Sequence, residues 1–131
     1  MKKNNTPISE VQCKATLNSI ADALFVIGGK WKLRIIVALR EGNKRFNELH
    51  RVLDGISAKV LSYELKELEL NGFVTRNVFT GKPVVVEYVL TDYADTLDDL
   101  LHSLSKWGSM HRENVKKSMK KEQTAQPAEI A

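Results

Sequence analysis

The 131-residue chain contains one cysteine, three prolines and no apolar run long enough to cross a lipid bilayer. One cysteine cannot form a disulfide within the chain, and a transmembrane helix needs about 20 mainly apolar residues. The lysines near the amino terminus are not followed by the apolar segment of a secretion signal. We therefore expect one soluble, cytoplasmic domain that does not associate with a membrane.

The sequence also lacks the residue patterns of common enzyme and metal sites. Its three histidines are far apart, and no cysteine or carboxylate joins them at a ligand spacing. Gly28-Gly29-Lys30 is not a phosphate-binding loop, because that motif needs four residues between its glycines and a Ser or Thr where Trp31 stands. We expect no enzyme activity, no metal and no cofactor.

Basic residues are concentrated in the N-terminal half, although the net charge is only +4. Residues 1–56 hold ten Lys and Arg against five Asp and Glu, whereas residues 91–131 hold six against seven. A basic face suits a polyanion such as DNA, but a plain solvated surface has the same composition. Charge alone leaves both interpretations open.

Apolar spacing predicts four helices after a polar, flexible segment at residues 1–10. The first carries an apolar stripe and ends at Gly28-Gly29, and helices at 31–41, 45–53 and 57–70 follow. The fourth begins at Ser57, a good N-cap, and ends at Asn71-Gly72. The inward residues of the last three helices are expected to be Trp31, Ile35, Leu39, Phe46, Leu49, Leu53, Val60, Leu61, Leu65 and Leu68.

Two runs of β-branched and aromatic residues, 73–79 and 84–90, predict a hairpin closed by the four-residue loop 80–83. In that register Arg76 lies opposite Glu87. Such a charge pair contributes roughly 0.2 to 1 kcal/mol and can stiffen the hairpin without any contact to DNA.

The residues after the hairpin predict a last helix capped by Thr91, with acidic residues in its first turn. The apolar stripes of the first and last helices exceed what a core of three small helices can cover, so we expect a second copy of the chain to cover them. Apolar content falls after Arg112, and residues 113–131 predict a disordered tail. The expected homodimer interface comprises Leu17, Ile20 and Leu24 with Leu97, Leu101 and Leu104.

Five sequence blocks occur together in one order: IGGKWKLRIIVAL (27–39), KRFNEL (44–49), GISAKVL (55–61), LKELELNGFV (65–74) and VEYVLT (86–91). In these blocks the chain resembles the HxlR family of bacterial transcriptional regulators, relatives of the MarR type. The resemblance implies a mainly α fold with a small β-hairpin, the winged helix-turn-helix, at residues 11–112, which dimerises and binds double-stranded DNA. Two positions depart from the family pattern, since Lys14 replaces a usual proline and Ala94 a usual glycine.

In a winged helix-turn-helix the recognition helix enters the major groove of DNA, and residues 57–70 are expected to form this helix. Lys59 can donate to guanine, and Ser62 can bond to either kind of base edge. Tyr63 can contact a thymine methyl or a phosphate, or can instead pack on the neighbouring turn. The outward-facing set is Ser57, Ala58, Lys59, Ser62, Tyr63 and Lys66.

Four basic residues outside this helix are candidate contacts to the DNA backbone. Lys44 and Arg45 stand at the start of a helix, where backbone N–H groups favour an anion. Lys82 lies at the hairpin tip, where insertion beside the minor groove and an ordinary turn lysine are equally good interpretations. Arg76 is the fourth, either as a DNA contact or as the partner of Glu87.

Cys13, which stands just before the first predicted helix, is a candidate redox sensor. The neighbouring Lys14 favours the reactive thiolate, and a branch of the resembling HxlR family senses oxidants or electrophiles through an N-terminal cysteine. An unreactive thiol packed under the first helix is the alternative. Any disulfide would have to join two subunits or capture a small thiol.

Taken with the resemblance, these patterns predict a homodimeric, sequence-specific transcriptional regulator that binds an inverted repeat, and they leave room for an oxidant or small-molecule effector. A winged-helix adaptor that binds another protein and no DNA is the second hypothesis. The two differ in salt dependence, because only contacts to phosphates make affinity fall linearly in log salt concentration.

Overall fold

A computed structural model of the chain describes residues 7–125. The chain divides into two compact units between Ala94 and Asp95. The order of the elements is the predicted one, with a short 3-10 helix added before the last helix. They are α1 (Glu10–Ile27), α2 (Lys32–Arg40), α3 (Phe46–Val52), α4 (Ala58–Leu70), β1 (Val74–Phe79), β2 (Val85–Leu90), the 3-10 helix Asp92–Leu97 and α5 (Asp98–Ala125).

The core of the first unit is built by α2, α3 and α4. Ile35, Leu49, Leu61 and Leu68 are fully buried, as their spacing predicts. Two predicted core positions differ, because Phe46 is only half-buried and Val60 is 38% exposed. At about 100° per residue, Val60 lies about 100° around α4 from Leu61, away from the centre of the buried leucine face. The other buried residues of the predicted set are Trp31, Leu39, Leu53 and Leu65.

Two glycines set the ends of α4. Gly55, with φ +91°, and Gly72, with φ +83°, both adopt the left-handed conformation that other residues rarely take. The first lies in the turn before α4, and the second follows Asn71, the C-cap of α4. The predicted turn at Asn71-Gly72 is confirmed.

The hairpin register differs from the prediction by one residue. Arg76 pairs with Tyr88, and Asn77 pairs with Glu87. The cause is the loop, which contains the five residues 80–84 instead of four, because Val85 is the first residue of β2. The predicted Arg76–Glu87 pair is therefore wrong.

A third segment extends this hairpin. The N–H of Lys44 donates to the Tyr88 carbonyl at 3.1 Å, and the N–H of Tyr88 donates to the Lys44 carbonyl at 2.8 Å. These two bonds attach the start of α3 to β2. The hairpin, which we call the wing, is thus fixed to the helical core at the residue before Arg45.

Thr91 does not cap the last α-helix, contrary to the prediction. Its hydroxyl donates to the Gly72 carbonyl at 2.6 Å, and its N–H donates to the Phe73 carbonyl at 3.0 Å. The residues that follow form the 3-10 helix Asp92–Leu97, and α5 begins only at Asp98. Thr91 thus joins the end of the wing to the end of α4.

The last helix is longer than predicted. Its expected end was Arg112, but α5 continues to Ala125, so residues 113–125 are helical rather than a disordered tail. This stretch contains neither glycine nor proline, and Lys116 Nζ lies 3.7 Å from the Glu113 carboxylate one turn earlier. Residues 126–131 lie outside the described residues.

The first helix begins at a capping box. The Gln12 N–H donates to Ser9 Oγ at 3.1 Å, and the Ser9 N–H donates to Gln12 Oε1 at 3.2 Å. Of the segment predicted as flexible, residues 1–6 lie outside the described part of the chain, and Glu10 is already helical. Cys13 lies in the first turn of α1 rather than before it.

Candidate nucleic-acid interface

The recognition helix α4 has two chemically different faces. Leu61, Leu65 and Leu68 are buried against the core. The predicted outward residues all lie on the exposed side, which is the face available to a groove. The exposed set is Ser57, Ala58, Lys59, Ser62, Tyr63 and Lys66.

Ser57 has a structural task besides any contact to DNA. Its backbone is extended, and its Oγ accepts a hydrogen bond from the Val60 N–H at 3.1 Å. This bond satisfies one donor of the first turn of α4. The Ser57 hydroxyl proton is still available to a phosphate or a base.

Tyr63 is 60% exposed and stands at the centre of the outward face, between Lys59 and Lys66 along the helix. The ring is therefore not buried against the neighbouring turn, as the alternative interpretation required. Instead, Lys32 Nζ of α2 lies 6.0 Å from the ring centroid. This distance is at the outer limit of a cation–π contact.

The same lysine makes an ion pair that was not predicted. Lys32 Nζ lies 2.6 Å from Glu64 Oε1, and the two side chains are only 12% and 14% exposed. The pair links the first residue of α2 to the middle of α4. No local pattern points to it, because the partners are 32 positions apart in the sequence.

The two candidate phosphate clamps at α3 differ in their surroundings. Lys44 Nζ lies 3.1 Å from the Glu41 carboxylate, and its side chain is only 16% exposed. Arg45 is exposed, but its N–H donates to Glu48 Oε1 at 2.7 Å. A carboxylate therefore already occupies a donor at this helix start, and the exposed guanidinium of Arg45 is the better placed of the two cations.

The wing carries its two candidate residues on its surface. Lys82 lies in the exposed loop 80–84, and Arg76 is exposed on β1. Glu87, the predicted partner of Arg76, pairs with Asn77 instead, so Arg76 lies opposite Tyr88.

Two more cations gather at Trp31, where α2 begins. The Trp31 side chain is 8% exposed, with Lys30 Nζ 5.1 Å and Arg34 Cζ 4.3 Å from its ring. Trp31, one of the predicted inward residues, is therefore buried as predicted. Both cations belong to the basic N-terminal half of the chain.

The candidate dimer residues of α1 are largely exposed. Leu17, Ile20 and Leu24 are 61%, 53% and 61% exposed, and none of the residues 10–25 is buried. At about 100° per residue, these side chains and Cys13 fall within a sector of about 60° around the helix. Cys13 itself is an exposed, free thiol.

The candidate dimer residues at the C-terminal end differ in their exposure. Leu104 is 48% exposed, whereas Leu97 and Leu101 are half-buried. Trp107, which continues the stripe of α5, is 58% exposed and stacks on His111 with ring centroids 4.9 Å apart.

The described residues contain no group of His, Cys, Asp or Glu side chains that could hold a metal ion. His50 has a structural role, because its Nε2 donates to the Ile56 carbonyl at 2.9 Å and so fixes the turn before α4. Among residues 7–125, no helix has the length and apolar character needed to cross a membrane.

A buried three-helix core, a polar and basic recognition-helix face and a two-stranded wing define a DNA-binding protein of the winged helix-turn-helix class. Residues 26–116 match the model of the HxlR-like helix-turn-helix, and the chain belongs to the HxlR family of transcriptional regulators. The family and fold class predicted from the sequence are thus confirmed.

Relatives and solved structures agree with this assignment. The HTH-type transcriptional regulator YtcD of Bacillus subtilis is 41% identical over 74% of this chain and 77% of its own length. The redox regulator HypR in its reduced form has a TM-score of 0.70 at 36% identity, over 76% of this chain and 98% of that one. The diamide-treated regulator YodB of B. subtilis has a TM-score of 0.61 at 35% identity, over 70% and 91% of the two chains.

Proposed function

We propose that this regulator acts as a homodimer in the cytoplasm, where each subunit inserts α4 into one half of an inverted repeat in double-stranded DNA. The observation that carries this proposal is the division of α4 into a leucine face buried in the core and an exposed face of polar and basic side chains. One α-helix fits the major groove, and the residues near its N-terminus reach the base edges.

On this face we assign base contacts to Lys59, Ser62 and Tyr63. Lys59 donates to guanine O6 or N7, Ser62 bonds to a base edge, and Tyr63 presents its exposed ring to a thymine methyl. The flanking residues Ser57, Ala58 and Lys66 face the phosphates and sugars beside the groove.

Contacts to the DNA backbone are assigned to the basic residues around α3 and the wing. Arg45 is the principal clamp, because its guanidinium is exposed. Lys44 contributes only after it leaves Glu41, so we expect a smaller effect from it. Lys82 approaches the minor groove from the wing, and Arg76 on β1 contacts the phosphates of the same DNA strand.

The homodimer is assigned to the apolar stripes of α1 and α5. The support is the exposure of α1, because an 18-residue helix with no buried residue before Ile27 leaves an apolar surface that a soluble protein normally covers. A second copy presents the same stripe and is therefore self-complementary about a two-fold axis. Two recognition helices about 34 Å apart then match two half-sites one helical turn apart.

Cys13 is assigned to an oxidant response through this interface. It lies on the same side of α1 as Leu17 and Leu24, and it is exposed. Diamide takes two electrons and two protons from a pair of thiols, so oxidation joins Cys13 of two subunits or joins Cys13 to a small thiol. Either product changes the contact between the α1 helices of the two subunits and with it the distance between their recognition helices.

Selection of bound fragments from the source genome, with and without diamide, tests the operator and the effector together. We expect enriched fragments to contain an inverted repeat and the enrichment to fall on oxidation. Anisotropy titrations of an enriched duplex between 50 and 200 mM salt should then show log affinity falling linearly, by about 0.9 per phosphate neutralised. Enrichment of no sequence, together with affinity independent of salt, would refute the proposal.

The response of Cys13 is tested separately with Cys13→Ser in gel shifts. Diamide should abolish binding by the wild type and leave the variant bound. An identical response of both proteins removes Cys13 from the mechanism and leaves DNA binding intact.

A further inference from the structure

The ion pair between Lys32 and Glu64 lies directly behind the face of α4 that we assign to DNA. Glu64 follows Tyr63 in the helix, and its carboxylate is held 2.6 Å from Lys32 Nζ of α2. Both side chains are more than four-fifths buried, whereas Tyr63 is 60% exposed. A carboxylate on a recognition helix would repel phosphates if it were left unpaired, and here a cation from another helix neutralises it.

Fold stability is a weak explanation for such a pair. Two charges removed from water lose hydration that their attraction only roughly restores, so a buried pair usually gives little more stability than two apolar side chains of the same size. What a buried pair does provide is a fixed geometry, because each charge is costly in any position without its partner. The pair at Lys32 therefore fixes the position of the ammonium group.

That ammonium group also lies beside the reading face. Its Nζ atom is 6.0 Å from the centroid of the Tyr63 ring while it holds Glu64. A ring next to a fixed cation has fewer favourable orientations than a ring on a bare helix surface. An exposed side chain that is already oriented loses less conformational entropy when it binds.

We propose that Lys32 is a positioning residue for base recognition, which with Glu64 orients Tyr63 for the groove and so sets the base preference at the position that Tyr63 contacts. This inference rests on the proposed function, because it takes α4 as the reading helix. It adds that a residue of α2, which itself touches no base, changes which sequence is bound.

The test replaces the ion pair by an apolar pair, Lys32→Met with Glu64→Leu, which keeps the volume and removes both charges. A merely structural role predicts an unchanged base preference, because an apolar pair preserves the packing. Circular dichroism melting shows that the variant is folded. A second variant, Lys32→Arg, keeps the cation and serves as the conservative rescue.

The probes are a duplex selected by the wild-type protein from a randomised library and the unselected library itself. We expect the apolar-pair variant and Tyr63→Ala each to lower the ratio of the affinity for the selected duplex to the affinity for the library by about 5- to 20-fold. In a repeated selection, both variants should lose their preference at the same base position. Tyr63→Ala should have little further effect in the apolar-pair background, because coupled residues are not additive. Lys32→Arg should keep the wild-type ratio.

Lys116→Met is the matched control, since it removes a lysine from an exposed pair on α5. It should leave the base preference unchanged. If the apolar-pair variant keeps the wild-type preference while Tyr63→Ala loses it, the inference is overturned and the proposed function stands. If Tyr63→Ala also keeps the preference, the inference fails together with the base contact assigned to Tyr63.

Discussion

Replacing Leu17 by alanine should weaken the proposed homodimer by a calculable amount. Full burial of a leucine side chain stabilises a folded or bound state by about 1.5 to 3 kcal/mol. Leu17 is 61% exposed in the subunit, so its burial in an interface contributes about 1 to 2 kcal/mol. A two-fold interface contains the residue twice, which raises the loss to about 2 to 4 kcal/mol and the dissociation constant by about 30- to 700-fold.

Sedimentation velocity over a concentration series measures this dissociation constant directly. Leu70→Ala is the matched control, because Leu70 is 76% exposed but belongs to α4 rather than to the stripe of α1. The control should have the wild-type dissociation constant. Equal constants for wild type, Leu17→Ala and Leu70→Ala would show that the exposed stripe of α1 is not the interface, and a wild type that remains monomeric at micromolar concentration would refute the dimer itself.

Four further substitutions test the core, the reading face, the backbone contact and the last helix. Leu65→Ala should lower the free energy of unfolding by about 2 to 5 kcal/mol in urea titrations, because Leu65 is 1% exposed. Lys59→Ala should cost about 1 to 3 kcal/mol on a selected duplex and flatten one base preference, and a uniform loss on all duplexes would make Lys59 a phosphate contact. Arg45→Ala should weaken selected and random duplexes alike and lower the salt slope by about one unit, and an unchanged slope would remove Arg45 from the clamp. Leu101→Asp should separate the dimer, because a charge enters the stripe of α5 without a partner, and an intact dimer with normal DNA binding would place the interface elsewhere.

Local patterns were sufficient for the helices of the first unit. The leucines at 61, 65 and 68 recur at the helical period and are buried, and Ser57 caps the helix that they define. Gly72 takes the left-handed conformation that its place after the helix requires. Each of these features depends on residues a few positions apart, so the sequence contains the whole signal.

Features that depend on distant or weakly biased residues were missed. The register of the wing turned on whether Val84 begins a strand or ends a loop. A β-branched residue favours a strand, but Val84 lies in the loop. The length of α5 was underestimated because a polar, lysine-rich stretch is compatible with both helix and disorder. The Lys32–Glu64 pair forms only when the tertiary fold brings α2 and α4 together.

In the proposed homodimer, the exposure of α1 would tie the lifetime of this regulator to its own abundance. Residues 10–25 of α1 are all exposed, and a helix of this length that depends on its own propensity is marginal in water, so it can open and become a substrate for proteases. Binding of a second subunit removes the opened state by mass action, so protection should rise with concentration around the dissociation constant. Pulse-chase half-lives measured across a series of promoter strengths should therefore lengthen with expression level, and slowly made protein should be cleared before it can occupy its operator.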